Sequence, residues 1–292
     1  MLIARHRAPD RFCQMVNQIC RATVCTFGIL LCLILLLPEP ADAEEVDLAL
    51  ILSVDISYSM DEDEQRLQRL GYISAITAPQ TLNAIKSGLL GKIAVAYVEW
   101  AGSYSQYLLV DWHLIDDRGS AEKFAAALSE APIRRVYRTS ISEALAFSST
   151  LFDRLPYEAL RRTIDVSGDG PNNQGRLVAD IRNRIVQQQI TINGLPLLLK
   201  RPEYTWFDIP NLDEYYEQCV IGGPSAFSIP VRHIKDFNEA VRMKLVLEIA
   251  QAPLPVDLRS PPLSQTVADK SDPHLCTIGE RLWQERMRLI TP

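Results

Sequence analysis

The sequence predicts a doubly wound α/β domain, in which helices cover both faces of a mostly parallel central sheet. Strand-like apolar segments alternate along the chain with segments whose apolar residues recur at helical spacing, which indicates crossover connections. The composition, 47% hydrophobic and 23% charged over 292 residues, is typical of a folded domain and excludes a disordered or polytopic membrane protein. Residues 107–112 follow a strand-like segment at 92–100 after a short loop, which predicts one antiparallel edge strand.

Six segments are predicted to be strands, because aliphatic and β-branched residues dominate them. Residues 46–54 (VDLALILSV) are dominated by aliphatic residues, as expected of a buried strand, and residues 92–100 (KIAVAYVEW) form the second predicted strand. Residues 162–166 lead into the glycine-rich turn Ser167-Gly168-Asp169-Gly170. The remaining predicted strands are residues 107–112, 190–199 and 227–231.

Helical periodicity predicts the elements between these strands. Residues 64–76 place Leu67, Leu70, Ile73 and Ile76 at helical spacing, and Ser120 is the predicted N-cap of a helix that runs to residue 128. Five prolines between residues 252 and 273 exclude regular structure there. A final amphipathic segment, residues 277–289, either docks back onto the domain or stays mobile. Further helices are predicted at residues 140–155, 177–188, 212–219 and 233–250.

The first 43 residues have the features of a secretory signal peptide. Four arginines precede an uncharged apolar run at residues 22–37, and Ala41-Asp42-Ala43 has the small-x-small pattern of a cleavage site. The run of 16 residues is shorter than the roughly 20 that a membrane-spanning helix needs. We therefore expect an exported protein, periplasmic or extracellular, with an uncleaved membrane anchor as the alternative. The predicted divisions are a signal peptide at 1–43, an α/β domain at 44–251 and a proline-rich tail at 252–292.

The net charge argues against a nucleic-acid partner, and the cysteine content argues against a zinc site. The net charge of −6 argues against nucleic-acid binding, because a nucleic-acid site needs basic residues to neutralise phosphates. Of the six cysteines, only Cys219 and Cys276 lie outside the predicted signal peptide. They form either one disulfide in an oxidising compartment or two unpaired thiols. Neither has a second cysteine or a histidine at the spacing of a zinc site.

Oxygen-bearing side chains follow the predicted strands at three places in the chain. Asp55-x-Ser57-x-Ser59 comes directly after the first strand, Thr139 precedes the helix at 140–155, and Asp169 lies in the glycine-rich turn. Loops at the carboxyl ends of parallel strands converge, so we expect these side chains to lie together. Two carboxylates and three hydroxyls suit Mg²⁺ or Mn²⁺, with Ca²⁺ also compatible and Zn²⁺ or Cu²⁺ disfavoured.

This set, in its order and spacing, resembles the metal-ion-dependent adhesion site of von Willebrand factor A (VWA) domains. The resemblance covers about residues 46–250 and implies that Ser57 and Ser59 bind the ion directly. It implies that Thr139 binds directly or through water, and that Asp55 and Asp169 act mainly through water or hydrogen bonds. A protein partner would then supply an Asp or Glu carboxylate to complete the coordination. The strings VEWAG (98–102), IDVSGDGPNN (164–173) and CVIGGP (219–224) also resemble a bacterial group of exported VWA-like proteins without assigned function.

Other acidic residues near this pattern are interpreted differently. Asp165 lies inside a strand where the VWA family usually has aliphatic residues, which suggests a buried hydrogen bond rather than a metal ligand. Asp61, Glu62 and Asp63 are expected to form the solvated start of a helix.

Catalysis is not expected from these residues. Ser57 stands where a phosphotransferase of the haloacid dehalogenase type would need a second aspartate, and Ser167-Gly168-Asp169-Gly170 does not match the serine-hydrolase motif G-x-S-x-G. A metal held by hydroxyls without a general base suits binding better than transformation of a ligand. The prediction is a metal-dependent binding domain and not an enzyme. The alternatives are a VWA-like scaffold with no functional metal and a metal-dependent hydrolase.

Overall fold

A five-stranded sheet is the centre of the part of the chain that the computed structural model describes, residues 43–58, 62–199, 209–250 and 272–290. The spatial order of the strands is β4-β3-β2-β6-β7; β2, β3, β6 and β7 are parallel, and β4 is antiparallel to β3 at the edge. A separate parallel pair joins β1 to β5. The strands are β1 (Glu44–Val46), β2 (Leu48–Asp55), β3 (Ile93–Trp100), β4 (Gln106–Ile115), β5 (Tyr157–Ala159), β6 (Arg162–Gly168) and β7 (Ile190–Pro196).

Helices cover both faces of this sheet, as the sequence predicts. One core contains Leu50 and Leu52 of β2 together with Tyr72, and the other contains Ala49 and Ile51 of the same strand. Alternate residues of β2 thus enter opposite cores, which is why this strand is apolar throughout. The α-helices are α1 (Glu62–Ile76), α2 (Pro79–Lys86), α3 (Arg118–Glu130), α4 (Ile141–Leu151), α5 (Val178–Gln187), α6 (Leu212–Tyr215), α7 (Phe237–Ala250), α8 (Pro273–Cys276) and α9 (Ile278–Ile290).

Two local predictions are wrong. The N-cap of α3 is Asp117, whose side chain accepts a hydrogen bond from the Ser120 amide; Ser120 is the third residue of the helix and completes the capping box. Residues 227–231 do not form a strand. They make two isolated bridges, one from Ser228 to Gly194 of β7 and one from Val231 to Leu197, the residue after β7. Pro230 has no amide to donate to a regular ladder there.

Several helix limits also differ from the predictions. The helix predicted at 140–155 ends at Leu151 and tightens into a 3₁₀ turn, Phe152–Arg154, ahead of Pro156. The one predicted at 233–250 begins at Phe237, after another 3₁₀ turn. The segment predicted as a helix at 212–219 is α6 followed by a π-helical turn, Tyr216–Val220. The short helix α2 was not predicted.

The C-terminal segment 272–290 docks back onto the domain. Cys276 forms a disulfide with Cys219, which decides between the two alternatives that the sequence left open. Leu275, Ile278 and Leu282 pack against the core on the α4–α5 face of the sheet. The predicted signal peptide and most of the proline-rich tail lie outside the described residues. Among the described residues, no helix is long and apolar enough to cross a membrane.

Candidate metal centre

Asp55, the last residue of β2, is fully buried at the carboxyl end of the sheet. Its Oδ1 atom accepts a hydrogen bond of 2.7 Å from the Ser57 amide. Its Oδ2 atom is also buried and has no hydrogen-bond partner among the described residues. Burial, and then the Asp169 carboxylate, raise the pKa of Asp55 well above its usual value, while hydrogen bonds from Ser57 and from the Asp169 amide act against this. The Asp55 carboxylate is therefore shielded from water and lies close enough to the half-buried Asp169 carboxylate to be repelled by it.

Gly168 makes room for the Asp55 carboxylate. A Cβ atom at position 168 would lie 3.0 Å from Asp55 Oδ2 and 2.9 Å from the Tyr216 hydroxyl oxygen. That hydroxyl is buried and has no hydrogen-bond partner among the described residues. Burial, and then the Asp55 carboxylate, raise the pKa of Tyr216, which keeps the phenol neutral. Gly168 and Tyr216 thus form part of the wall around the buried carboxylate oxygen.

Ser57 and Thr139 come from two segments that run side by side. Ser57 forms an isolated parallel bridge with Val136, and the Val136 amide donates to the Ile56 carbonyl at 3.3 Å. Both Ser57 and Thr139 are buried. The Thr139 amide donates to Asn173 Oδ1 at 3.1 Å, and the Asn173 amide donates to the Thr139 carbonyl at 2.9 Å. Thr139 therefore lies between the segment that follows β2 and the loop that follows β6.

The structure places four of the five predicted ligands in these adjoining segments. Asp55, Ser57 and Thr139 are buried, and Asp169 is half-buried in the loop after β6. The fifth, Ser59, lies outside the described residues. Within the described ranges, no group of three or more His, Cys, Asp or Glu is positioned to hold a metal ion. The predicted set differs from such groups, because it combines two carboxylates with neutral hydroxyls.

Polar residues of α1 fix the backbone around these side chains. Gln65 donates to the Ile56 carbonyl at 3.2 Å, and Gln68 donates to the Ser167 hydroxyl at 3.3 Å. Arg69 forms a buried ion pair with Glu99 and donates to the carbonyls of residues 131 and 132. Burial raises the pKa of Glu99, and Arg69 opposes that shift. These contacts were not predicted, because the helical spacing of Leu67 and Leu70 indicated a different buried face, whereas the structure leaves Leu70 58% exposed.

Asn172 organises the loop that carries Asp169. Its amide donates to the Tyr215 hydroxyl at 3.1 Å, and its Oδ1 accepts from the Ser142 amide at 3.0 Å. Its Nδ2 donates to Glu280 Oε1 at 2.7 Å. A Cβ atom at Gly279 would clash with the Asn172 carbonyl oxygen, so α9 packs directly on this loop. The C-terminal segment is therefore part of the framework of the site.

Asp165 is fully buried, and its side chain pairs with a lysine instead of belonging to the predicted metal site. Lys244 Nζ lies 2.6 Å from Asp165 Oδ1 and 2.5 Å from Glu248 Oε1. Asn193 Nδ2 donates to the same Glu248 oxygen at 2.9 Å. The buried Lys244 ammonium thus pairs with two buried carboxylates, and in place of a simple buried hydrogen bond Asp165 of β6 joins an ion-pair network with Lys244 and Glu248 of α7.

Comparison with known proteins identifies the family. A family model described as "Protein of unknown function (DUF1194)" matches residues 45–253, which is well over half of the chain. The chain belongs to the DUF1194 family. The segment 272–290 lies beyond the part of this DUF1194 protein that the family model matches. A search of curated proteins found no match.

Solved structures show what the fold resembles. The pilus adhesin SpaC from Lactobacillus rhamnosus GG aligns with a TM-score of 0.52 and 12% identity over 72% of this chain and 31% of SpaC. The proximal thread matrix protein 1 of the mussel byssus aligns with a TM-score of 0.49 and 10% identity, over 72% of this chain and 49% of that protein. A von Willebrand factor type A protein from Catenulispora acidiphila aligns with a TM-score of 0.48 and 13% identity, over 70% of this chain and 43% of that protein. Over the aligned residues, the fold of this DUF1194 protein is similar to that of SpaC, and the chain spans at most about half of these three chains.

Proposed function

We propose that this DUF1194 protein is an exported binding protein that uses a divalent cation to bind a carboxylate of a protein partner. Asp55, Ser57, Ser59, Thr139 and Asp169 would hold the cation, which we propose to be Mg²⁺ or Mn²⁺, with Ca²⁺ also compatible. The resemblance to VWA adhesion sites motivates this set. We further propose that the protein is not an enzyme.

The observation that carries the proposal is the buried Oδ2 atom of Asp55, which has no hydrogen-bond partner among the described residues. A buried carboxylate oxygen without a partner is costly, and a second carboxylate, Asp169, raises that cost. A cation compensates both charges at once. The neighbouring hydroxyls of Ser57 and Thr139 are neutral oxygen donors of the kind that hard cations accept. The donor set therefore fits a hard divalent cation.

The same donor set supports binding rather than catalysis. A cation held by two carboxylates and neutral hydroxyls retains positive charge, and it would supply an electrostatic contact for an incoming carboxylate. Catalysis would require a positioned acid or base as well. Tyr216, whose hydroxyl adjoins the site, is held neutral by its raised pKa and is unsuited to act as a base at neutral pH.

The disulfide supports the proposed location. Cys219 and Cys276 are bonded across 57 residues, and such bonds persist in oxidising compartments such as the periplasm and the extracellular space. Export is also what the predicted signal peptide implies. Mass spectrometry of the mature protein from the native host would locate the N-terminus and would contradict export if residues 1–43 were retained in a cytoplasmic fraction.

Calorimetric titration with Mg²⁺, Mn²⁺ and Ca²⁺ tests the metal site. We expect heat of binding and a rise in Tm for the wild type, because a ligand that binds only the folded state stabilises it. Ser57→Ala and Asp169→Ala should lose both while keeping the fold, as judged by circular dichroism. Ser74→Ala and Asp153→Ala are matched controls, since both side chains are exposed and belong to other segments. Absence of any heat with the wild type would favour a scaffold without a functional metal.

A further inference from the structure

Three arginines of the loop between α3 and α4 each lie over an aromatic ring. Arg134 lies 5.0 Å from the centre of the Tyr107 ring, Arg135 lies 3.9 Å from that of Tyr58, and Arg138 lies 3.0 Å from that of Trp283. The aromatic partners come from β4, from the segment after β2 and from α9. One short loop therefore gathers three cations against rings that are distant in the sequence.

These pairs flank the candidate metal centre. Arg138 directly precedes Thr139, and Arg135 directly precedes Val136, which bridges to Ser57. Arg135 also donates a 2.9 Å hydrogen bond to the Tyr58 carbonyl. The guanidinium groups are thus fixed to the same two segments that present Ser57 and Thr139, and they have a defined position relative to the proposed cation.

Exposed aromatic rings lie beside these arginines, and we call residues 134–138 together with Tyr58 and Tyr104 the rim. Tyr58 and Tyr137 stack with ring centres 4.3 Å apart, although 46% of Tyr58 and 69% of Tyr137 are exposed. Tyr104 is 96% exposed on the hairpin between β3 and β4, and a Cβ at Gly102 of that hairpin would lie 3.0 Å from the Tyr137 carbonyl oxygen. Tyrosine, tryptophan and arginine are the residue types that contribute most to protein–protein binding energy.

The charge of the rim specifies the chemistry of what binds there. The chain carries a net charge of −6, yet residues 134–138 contain three arginines and no acid. One nitrogen of Arg138, Nη1, is buried and has no hydrogen-bond partner among the described residues. A guanidinium stacked on a ring can still donate through its edge, and carboxylates are its best acceptors. The first turn of α1 is acidic, with Glu62, Asp63 and Glu64, so the excess of positive charge is confined to the arginine loop.

We propose that the partner presents an acidic protein segment with at least two carboxylates, of which one reaches the cation and a neighbouring one contacts the loop of Arg134, Arg135 and Arg138. This inference rests on the proposed metal-dependent binding and adds the identity of the recognised segment. The stacked tyrosines provide an apolar surface beside the charged contacts. An isolated Asp or Glu in a neutral context would then bind far more weakly.

The test uses the full mature chain and an array of short fluorescent peptides with a central Asp. One set has flanking Glu residues, a second has Gln at the same positions, and a third has the central Asp replaced by Asn. Anisotropy is measured with Mg²⁺ and after addition of EDTA. We expect Glu-flanked peptides to bind roughly tenfold more tightly than Gln-flanked ones, since one charge-assisted hydrogen bond accounts for about that factor. The advantage should shrink as the salt concentration rises.

Variants assign the effect to the loop. Arg138→Gln and Arg134→Gln should each reduce the preference for Glu-flanked peptides to about twofold or less, while Mg²⁺ binding by calorimetry is unchanged. Arg118→Gln is the matched control, because Arg118 is exposed at the start of α3, beside the opposite end of the sheet. Tm values equal to that of the wild type would show that the variants are folded. If one of the two arginine variants of the loop is unstable, the other one tests the preference for Glu-flanked peptides.

The outcomes separate this inference from the proposed function. Chelator-sensitive binding that ignores the flanking residues would overturn the inference and leave the metal-dependent function intact. Loss of all chelator-sensitive binding across the array would overturn both. Binding of acidic peptides that survives EDTA but is lost in Arg138→Gln would support the rim and contradict the metal site. Retention of a polyuronate such as alginate, with no peptide bound, would overturn the choice of a protein partner.

Discussion

The Asn172 side chain donates a hydrogen bond of 2.7 Å to Glu280, and this contact joins the loop of Asp169 to α9. Glu280 lies outside the region that the DUF1194 model matches, whereas Asn172 lies inside it. The Cys219–Cys276 disulfide fixes the same junction four residues before Glu280. The C-terminal segment of this chain is therefore positioned to hold the loop on which the proposed cation depends.

Loss of the disulfide should loosen that loop. We expect Cys276→Ala to lower the free energy of unfolding by about 2–4 kcal/mol, because the disulfide limits the freedom of the unfolded chain. Affinity for Mg²⁺ should fall as well, since α9 no longer braces Asn172. Urea unfolding and calorimetry measure the two effects. Wild-type protein in reducing agent should behave like the variant, and unchanged metal affinity in both would show that the segment does not support the site.

Substitution of Gly168 should affect the site more than the fold. In Gly168→Ala the new methyl would lie 3.0 Å from Asp55 Oδ2 and 2.9 Å from the Tyr216 hydroxyl oxygen, so both side chains must move. We expect metal affinity to fall at least roughly tenfold with a stability loss of about 1–3 kcal/mol, the usual range for overpacking. Gly170→Ala is the control, because a methyl there meets nothing within 4 Å. Equal metal affinities for the two variants would contradict the proposed position of the cation.

The pH dependence of stability should contain a contribution from Asp165. Burial, and then Glu248, raise the pKa of Asp165 to about 7 in the folded protein, from an ordinary value of 3.8, although Lys244 acts in the opposite direction. Below that ordinary value both states are protonated, and above pH 7 neither is. Between them only the folded state keeps the proton, so the stabilising contribution is lost as the pH rises through this window. The Tyr72 hydroxyl and Asn193 also face the network, and neither ionises near neutral pH.

Asp165→Asn isolates this contribution. Unfolding free energies are measured by urea titration at about pH 5 and about pH 8 for both proteins. From about pH 5 to about pH 8, the free energy of unfolding should fall more in the wild type than in the variant. For one proton, it should change by at most about 1.4 kcal/mol per pH unit. Lys244 keeps Glu248 as a partner in the variant, so the protein should remain folded. Parallel pH profiles would show that Asp165 is ionised throughout this range.

Local sequence patterns predicted most of the sheet because its strands have unambiguous signals. The apolar runs that became β2 and β3 admit few other interpretations, since they are too short for most helices and are buried on both faces. The N-cap of α3 was harder to place. Asp117 and Ser120 are both good capping residues, and only the reciprocal hydrogen bonds show which comes first. Where several residues satisfy one local rule, the sequence alone does not choose between them.

The site was predictable in part for a similar reason. Asp55, Ser57, Thr139 and Asp169 follow strands or precede helices, so their placement depends on topology that local patterns reveal. Tyr216 and Glu280 reach the same region through a π-helical turn and a docked C-terminal helix. Their contacts depend on packing between residues that are far apart in the chain, 108 positions in the hydrogen bond from Asn172 to Glu280. No local periodicity carries that information.

The buried pair of Arg69 and Glu99 should hold the Thr139 loop in place. Arg69 binds Glu99 of β3 and donates to the carbonyls of residues 131 and 132, at the start of that loop. Arg69→Met leaves the Glu99 carboxylate buried without its cation, which should cost about 3–5 kcal/mol of stability. The double variant Arg69→Met with Glu99→Gln no longer has an unpaired buried carboxylate, so it should recover part of the lost stability. Urea unfolding of both proteins measures this, and equal stability of the single and double variants would mean that Glu99 is neutral in the folded protein.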